Sequence, residues 1–336
     1  MPSAQLDRFS RRTAFADRPV REAALASIAM AVPDRVVGND VIAAGAGVTE
    51  QWIVHRTGVH ERRRAAEGER LDSLAAKAGQ AALAEAGLEA SDLDLVLVAT
   101  LAADELTPNA APLVAHQLGA DRAGAMDIGA ACTGWLSGLS LACAQIEAGR
   151  AEHVLLIGAE VLSRYLDPAD RGTSALFADG AGAAVVSNAN GHGHGGRIRE
   201  IVLRCDGRGA PSITAGDRER IIRMQGHDTF KAAVLRMSEA TLEAVELADL
   251  GVEDIDLFVY HQANARILRA VGEKLGLDDE RVVNSIDRYG NTSSATLPIA
   301  LVDARERGLL QPGMNVLLAA FGAGFTWGAG VVEWQA

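Results

Sequence analysis

The sequence is poor in cysteine and aromatic residues, and it has no long apolar run. Its 336 residues include three cysteines, Cys132, Cys143 and Cys205, and aromatic side chains make up 4%. Three separated cysteines without a CxxC pair argue against a disulfide framework or a cysteine-bound zinc ion, and they are typical of a reducing cytoplasm. No segment reaches the roughly 20 apolar residues that a membrane span requires. We therefore expect a soluble, cytoplasmic protein with an aliphatic core and no membrane partner.

Positive charge is also in deficit. The chain has 32 Lys and Arg residues against 44 Asp and Glu residues, a net charge of -12. This balance opposes nonspecific binding to nucleic acid or anionic lipid, so an acidic partner would have to meet a local basic patch. Residues 1–22 mix arginine with acidic residues and lack a signal-peptide pattern, which predicts a flexible N-terminal tail.

One layout occurs twice in the chain. Residues 82–100 and 244–262 each combine a helix end, a glycine helix cap, an acidic linker and an apolar strand. The same offset of 162 residues separates two pairs of positions: Asp94 from Asp256, and Val154 from Val316. An offset that is kept at two distant points indicates duplicated αβ units.

We place the two halves of this repeat at 23–190 and 191–336. The glycine-rich segment 188–197 is the natural junction between them. His192 and His194 lie in this segment, but two histidines in a linker without a carboxylate cluster are typical of a solvated loop. We therefore predict no metal site.

Short apolar strands alternate with amphipathic segments along both halves. Helices are predicted from Leu71 to Ala86, Thr133 to Ala148, Phe230 to Ala248 and Ala263 to Leu275. This alternation predicts an α/β protein with mostly parallel sheets covered by helices.

Cys132 stands where an apolar strand gives way to a helix. Unpaired N–H groups and the dipole at a helix N-terminus stabilise a thiolate, so we expect a lowered thiol pKa. Small neighbours leave space for a substrate carbonyl, and the Cys132 amide could donate to an oxyanion. The alternative is a cysteine that packs as a small apolar side chain, as we expect for Cys143 and Cys205.

The second half offers two polar side chains at strand and loop exits. His261 follows a buried strand, and Asn291 lies in a polar turn before a helix. Taken singly, His261 could be a hydrogen-bonded strand-end histidine and Asn291 a helix cap. Facing Cys132 from the other half, they predict a catalytic pocket at a pseudo-two-fold junction.

A glycine-rich segment, 321–332, follows the last apolar strand. No βα unit with a downstream acidic residue follows it, which argues against a dinucleotide-binding fingerprint. Its glycines would instead let the backbone approach the pocket, and the Ala323 amide could be a second oxyanion donor.

Six motifs in order along the chain carry a family resemblance. They are "WIVHRTGVHERR" at 52–63, "GAACTGW" at 129–135, "DRGTSALFADGAGAAVV" at 170–186, "HQANARI" at 261–267, "YGNTSSAT" at 289–296 and "FGAGFTWGA" at 321–329. The sequence resembles the β-ketoacyl-acyl carrier protein synthase III family of the thiolase superfamily. The resemblance implies a five-layered αβαβα fold of two duplicated halves and an obligate homodimer.

The resemblance also implies a reaction. Cys132 would take an acyl group from acyl-CoA as a thioester. His261 and Asn291 would hydrogen-bond the thioester carbonyl of malonyl-acyl carrier protein while carbon dioxide leaves, and the resulting carbanion would attack the acyl group. The amides of Cys132 and Ala323 would hold the oxyanion. No metal or redox cofactor is implied, since CoA thioester is a substrate.

Binding residues follow from the same resemblance. Implied CoA contacts are Trp52, Arg56, Arg171 and Asn264, with the adenine between the Trp52 indole and the Arg171 guanidinium. Implied docking cations for the acidic carrier protein are Lys231, Arg266, Arg269 and Lys274, for which a plain solvated helix face is the alternative. Thr107 stands where short-chain relatives have an aromatic residue at the base of the acyl pocket, which favours a longer or branched starter.

Two further functions compete with this interpretation. One is a starter-unit condensing enzyme or acyltransferase of a polyketide or quinolone pathway. The other is an inactive carrier-protein-binding module that retains the fold. The presence of Cys132, His261 and Asn291 together favours an active, decarboxylating enzyme.

Overall fold

The computed structural model describes residues 21–189, 196–216 and 219–335. Most of the predicted tail, the predicted junction at 190/191, His192 and His194 lie outside the described residues. The strands are β1 Ala23–Ala31, β2 Val36–Gly38, β3 Glu61–Arg63, β4 Leu95–Ala99, β5 Gly124–Ile128, β6 His153–Val161, β7 Asp179–Asn188, β8 Gly196–Cys205, β9 Ile213–Ala215, β10 Ile222–Met224, β11 Leu257–Tyr260, β12 Asn315–Gly322 and β13 Thr326–Trp334. The helices are α1 Asn39–Ala46, α2 Glu50–Thr57, α3 Leu71–Ala86, α4 Ala110–Leu118, α5 Gly134–Glu147, α6 Gly226–Leu247, α7 Ala265–Leu275, α8 Ile286–Tyr289 and α9 Thr296–Glu306.

Nine strands form one sheet, in the order β11-β12-β13-β8-β1-β7-β6-β4-β5. Strands β4, β5 and β6 are parallel to one another, as are β11 and β12, and the other pairs are antiparallel. The two parts of the sheet meet where β1 pairs with β8 over two residues, Ala24 and Leu25. Strand β5 ends the sheet, so one of its edges is unpaired by the described strands.

The sequence repeat is visible in the strand register. Leu95 pairs with Val154 across β4 and β6, and the residues 162 positions later, Leu257 and Val316, pair in the same way across β11 and β12. The linker carboxylates repeat as well: Asp94 accepts a hydrogen bond from the His153 backbone, and Asp256 accepts one from the Asn315 backbone. The predicted offset is thus confirmed at the level of individual hydrogen bonds.

Helices and strands stack in five layers. One outer core lies under α3 and α4, the other lies under α6 and α7, and a third core surrounds α5 and α9 between the two parts of the sheet. The strands contribute to two cores at once, because successive side chains point to opposite faces. On β6, Leu155 and Ile157 join the first outer core, and Val154 and Leu156 join the middle one. The predicted five-layered α/β fold is confirmed, but the predicted mostly parallel sheet is wrong, because β1, β7, β8 and β13 pair antiparallel with all their neighbours.

The two middle helices begin at matching turns. Helix α5 follows a short 3₁₀ turn, Ala131–Thr133, and α9 follows the turn Ser293–Ala295, 162 residues later. The first residue of each turn is left-handed, with φ of 46° at Ala131 and 50° at Ser293. These turns point the N-termini of both buried helices toward the seam between the halves.

The structure corrects two local predictions. Helix α6 begins at Gly226, four residues before the predicted start at Phe230. The predicted glycine cap of this helix is also wrong, because Asp249 takes the left-handed conformation, with φ of 54°, at the position equivalent to Gly87 after α3. Aspartate tolerates this region better than most residues because its short side chain bonds locally. None of the described helices has the length and apolarity to cross a bilayer.

Candidate active site

Cys132 lies in the turn that leads into α5 and packs against the end of β12. Gly322 approaches so closely that a Cβ at this position would lie 2.9 Å from the Cys132 backbone nitrogen. The turn is anchored by the Thr133 hydroxyl, which donates to the Thr326 hydroxyl over 2.9 Å. The Thr326 hydroxyl in turn donates to the Ala323 carbonyl oxygen over 3.1 Å. The two residues predicted as oxyanion donors, Cys132 and Ala323, are therefore held next to each other.

The thiol of Cys132 differs from the prediction. It is partly buried, and this burial raises the pKa of the thiol to about 12, against the lowering effect of the Ser293 hydroxyl and the residue's own backbone N–H. The expected lowering of the pKa is wrong because loss of water outweighs these two hydrogen-bonding effects. The raised pKa favours the thiol over the thiolate in the resting site, so the proton has to leave as the sulfur reacts.

His261 follows β11 and is 1% exposed. Its backbone N–H donates to the Ala319 carbonyl over 2.7 Å, which fixes it beside β12. Burial lowers the pKa of the imidazole to about 3, so the ring is neutral near neutral pH. Its Nδ1 is buried and has no hydrogen-bond partner in the part of the chain that the structure describes. A buried N–H donor without an acceptor costs more free energy than a buried nitrogen acceptor without a donor. We therefore assign the ring proton to Nε2.

Asn291 is held by the other half of the molecule. Its backbone N–H donates to the Leu176 carbonyl, and its carbonyl accepts from the Ala178 N–H, both over 2.9 Å. The side-chain Oδ1 accepts from the Ser293 backbone N–H over 2.9 Å. Because the oxygen is occupied within the turn, the amide Nδ2 is left as a hydrogen-bond donor. The same contact makes Asn291 a turn-capping residue, and it leaves Nδ2 for the predicted catalytic role.

Two side chains at this seam were not predicted. The Ser293 hydroxyl is buried without a hydrogen bond of ordinary geometry, yet it lies close enough to the thiol and to Glu160 to lower the pKa of both. Glu160 is the second-last residue of β6 and is 0% exposed, and burial raises the pKa of its carboxyl to about 7. One signal was available in the sequence, since an acidic residue stands near the end of an otherwise apolar strand.

The predicted CoA residues cluster at a separate surface. The Arg171 guanidinium carbon lies 5.5 Å from the centroid of the Trp52 ring, and that of Arg56 lies 5.9 Å from it. Asn264 is engaged within the protein at both ends of its amide: Nδ2 donates to the Arg56 carbonyl, and Oδ1 caps α7 by accepting from the Arg266 N–H. Asn264 thus joins the start of α7 to the helix that carries Trp52 and Arg56.

The predicted docking cations are all exposed. Lys231 lies on α6, and Arg266, Arg269 and Lys274 lie on the adjacent helix α7. The Arg266 guanidinium carbon is 5.5 Å from the centroid of the Phe230 ring, which brings the starts of the two helices together. Arg266 therefore lies beside the residue that precedes Lys231.

Thr107, the residue predicted at the base of the acyl pocket, lies on the surface of the described chain. It is exposed in the loop between β4 and α4, beside Leu106, whose exposed fraction is 94%. A residue so exposed does not form the base of a pocket within its own chain. At the start of this loop, Asp104 forms an ion pair with Arg164.

The remaining cysteines and acidic groups lie apart from this site. Cys143 is buried in the middle core as predicted, whereas Cys205 is exposed at the end of β8, so its predicted structural role is wrong. Asp72, Asp104 and Glu105 approach one another closely enough to hold a metal ion. Arg70 forms ion pairs with all three, so a cation already occupies this cluster.

Comparison with known proteins identifies the family. The profile described as 3-oxoacyl-[acyl-carrier-protein] synthase III matches residues 126–207, and the profile of its C-terminal region matches residues 245–334. A β-ketoacyl-[acyl-carrier-protein] synthase III from Bradyrhizobium diazoefficiens is 42% identical over 314 residues, which is 90% of this chain and 96% of that protein.

Solved structures agree. The 3-oxoacyl-(acyl carrier protein) synthase III of Pseudomonas aeruginosa matches with a TM-score of 0.89 at 39% identity, over 94% of this chain and 99% of that one. The priming β-ketosynthase of a polyketide biosynthetic pathway matches with a TM-score of 0.89 at 34% identity, over 95% and 98% of the two chains. The chain is an acyltransferase of the condensing type, which excludes an inactive module. It belongs to the β-ketoacyl-acyl carrier protein synthase III family of thiolase-like enzymes.

Proposed function

We propose that Cys132 accepts an acyl group from acyl-CoA and passes it to the carbanion formed from malonyl-acyl carrier protein. The observation that carries this proposal is the meeting of two turns: the Cys132 turn packs against Gly322, and the turn after Asn291 brings Ser293 to the thiol. A nucleophile and a hydrogen-bond donor from opposite halves thus share one seam, which is the arrangement a two-step condensation needs.

In the first step, the Cys132 sulfur attacks the thioester carbonyl and CoA leaves as a thiol. The proton of the Cys132 thiol passes to the departing CoA sulfur, so one S–H bond is broken and one is formed, and His261 stays neutral because burial lowers its pKa. The helix N-terminus beneath the sulfur stabilises the negative charge once the proton has gone. The amides of Cys132 and Ala323 donate to the oxyanion of the tetrahedral intermediate.

In the second step, His261 and the Asn291 amide donate to the thioester carbonyl of malonyl-acyl carrier protein. These hydrogen bonds strengthen as the carbonyl becomes an enolate, so they favour loss of carbon dioxide. The carbanion then attacks the carbonyl of the acyl group on Cys132, and the sulfur leaves to give a β-ketoacyl carrier protein. The sulfur leaves as a thiolate and takes a proton from water to restore the thiol, so the proposed reaction needs no metal or redox cofactor.

The substrates approach from two surfaces. Trp52, Arg56 and Arg171 supply an aromatic face and two cations for the adenine and phosphates of CoA. The patch of Lys231, Arg266, Arg269 and Lys274 faces the acidic carrier protein. Free cysteines and a carrier-protein substrate support a cytoplasmic location.

We propose a homodimer that uses the edge of β5. This strand pairs on one side with β4, and Met126 in its middle is 44% exposed. An unpaired edge with an apolar side chain is a template for a second strand. Thr107 and Leu106 project from the neighbouring loop, so in the dimer Thr107 would line the acyl pocket of the second copy rather than its own.

A starter-unit role in a polyketide pathway is the second candidate. The structural match to a priming β-ketosynthase supports it, and so does a small threonine at the predicted base of the acyl pocket. The two candidates differ in the preferred starter and in the carrier protein, not in the chemistry at Cys132.

The test separates the two half-reactions. After incubation with mixed acyl-CoAs, the mass of the intact protein should rise by one acyl group, and addition of malonyl-acyl carrier protein should release carbon dioxide. Asn291→Ala should keep the mass increase but lower carbon dioxide release by roughly 10²- to 10³-fold, because one donor to the enolate is lost. A mass increase that persists in Cys132→Ala, or carbon dioxide release unchanged in Asn291→Ala, would contradict the proposed roles.

A further inference from the structure

Glu160 is a buried carboxyl for which the proposed reaction has no use. It is the second-last residue of β6, it packs against the turn before α9, and it is fully buried. Its Oε2 accepts from the Leu101 backbone N–H over 3.2 Å and from the Thr100 hydroxyl over 3.3 Å. Its Oε1 lies 2.9 Å from the Ser294 hydroxyl and 3.4 Å from the Ser294 backbone nitrogen. All of these partners are neutral, whereas a buried carboxylate is normally paired with a cation.

The Ser294 hydroxyl indicates which form of the carboxyl fits. Its oxygen lies 2.8 Å from the Ala99 carbonyl oxygen and 2.9 Å from Glu160 Oε1. A hydroxyl has one proton, and a carbonyl oxygen can only accept. Both contacts are hydrogen bonds at the same time when Ser294 donates to Ala99 and a protonated Glu160 donates to Ser294. The oxygen Oε2, which accepts two hydrogen bonds, is then the carbonyl oxygen of the acid.

The turn held by Ser294 carries residues of the proposed site. Ser293 precedes it and lies near the Cys132 thiol, and the Ser293 backbone N–H binds Asn291 Oδ1 over 2.9 Å. Any shift of the turn therefore changes the direction of the Asn291 amide. Cys132 itself is attached to a different turn, anchored by Thr133 and Thr326.

We propose that Glu160 is a positioning residue for decarboxylation, which as a neutral carboxylic acid fixes the turn of Ser293 and Ser294 and so aims the Asn291 amide. Ionisation replaces the donated hydrogen bond to Ser294 by a contact between two acceptors, and this loosens the turn. The inference rests on the proposed role of Asn291. It predicts that decarboxylation depends on Glu160 more strongly than acylation does.

The surroundings agree with a proton that is exchangeable near neutral pH. Burial raises the pKa of Glu160 to about 7, although the nearby hydroxyls and N–H groups lower it. The groups that face it are Thr100 and Leu101 after β4, Gly180 opposite it on β7, and Ser293 and Ser294 on the turn. Among the described residues around it, Cys132 is the titratable group that interacts with it electrostatically.

The experiment compares Glu160→Gln with Glu160→Ala. Glutamine can donate from Nε2 to Ser294 and accept from Leu101 and Thr100, so it imitates the neutral acid. Glu160→Ala should lower carbon dioxide release by roughly 10- to 100-fold, as expected for a misplaced donor, while the mass assay still shows acylation of Cys132 at nearly the wild-type rate. Glu160→Gln should restore carbon dioxide release, and it should remove any loss of decarboxylation in the wild type above pH 7 that comes from ionisation of Glu160.

The outcomes are distinct. A Glu160→Gln enzyme as slow as Glu160→Ala at every pH would overturn the neutral-acid role, and an equal loss of acylation and decarboxylation in Glu160→Ala would overturn the positioning role. Where Glu160→Ala does not fold, Ser294→Ala breaks the same link and supplies the same comparison. Glu152→Gln, which removes an exposed carboxylate, is the matched control. Wild-type acylation and decarboxylation, run in parallel, test the proposed function separately.

Discussion

The turns at the start of α5 and α9 share the same backbone conformation, but a different residue packs against each of them. Each is a 3₁₀ turn with a left-handed first residue, and the second residue is Cys132 in one and Ser294 in the other. The strand-end residue that packs against each turn is Gly322 in the first case and Glu160 in the second, again 162 positions apart. Glycine lets the Cys132 turn lie directly against the strand, whereas glutamate places a carboxyl against the Ser294 turn.

This difference shows how a duplicated fold makes one site rather than two. The helix N-terminus, with its unpaired N–H groups, is present in both halves and by itself does not distinguish them. What distinguishes them is the side chain at the end of the neighbouring strand. The turn before the helix therefore suits a reactive thiol only where the residue opposite it does not fill the position that a substrate would take.

The largest expected effect comes from moving the thiol between the two turns. Cys132→Ala should abolish acylation by acyl-CoA, and the double variant Cys132→Ala/Ser294→Cys should not regain it, because Glu160 fills the space that the carbonyl would need. The measurement is the mass of the intact protein after incubation with acyl-CoA. Cys143→Ala, which removes a cysteine from the same helix, is the control and should acylate normally. Acylation of the thiol at position 294 would break the comparison.

The next largest effect is the contribution of Glu160 to the free energy of unfolding. The pKa of Glu160 is about 7 against an ordinary 4.5, so between these pH values the folded protein holds a proton that the unfolded chain releases. The stability contributed by this group therefore falls as pH rises through the interval, by about 3 kcal/mol in total, and stays level above it.

Glu160→Gln lacks this dependence. Its free energy of unfolding, measured by urea denaturation from about pH 5 to about pH 8, should fall less than that of the wild type by most of this amount. All other titrating groups are common to the two proteins, so they cancel in the difference. Parallel pH curves for both proteins would show that Glu160 is ionised throughout and would weaken the contrast between the two turns.

The smallest effect separates the binding surfaces of the two halves. Arg171→Ala should raise the KM for acyl-CoA by about two- to fivefold, the size expected for an exposed cation–π contact, and leave the KM for malonyl-acyl carrier protein unchanged. Arg269→Ala should do the reverse, with an effect that shrinks as salt is added. Arg150→Ala removes an exposed arginine elsewhere and is the control. An equal rise of both KM values in either variant would mean that the surfaces are not separate.

The sequence predicted the helix over Leu71–Ala86, the 162-residue repeat and the placement of His261 after a buried strand, because these depend on local patterns of apolar residues and on turn chemistry. It did not predict Glu160. A single acidic residue near the end of an apolar strand is common in sequences. The hydrogen-bond partners of Glu160, Leu101 and Ser294, are 59 and 134 residues away along the chain. The sequence also did not predict that Thr107 is exposed. A position matched to a family does not reveal whether its loop contacts its own chain or a second copy.

The amino-acid sequence by itself determined the duplicated architecture and supplied a cysteine, a histidine and an asparagine in the order that the family uses. Only the tertiary structure decided the state of those groups: a thiol whose pKa is raised, an imidazole that stays neutral and a carboxyl poised to hold a proton. The physical reason is that strand and helix patterns are encoded by neighbours along the chain. The free energy of charging a side chain depends instead on the water that distant segments remove from around it.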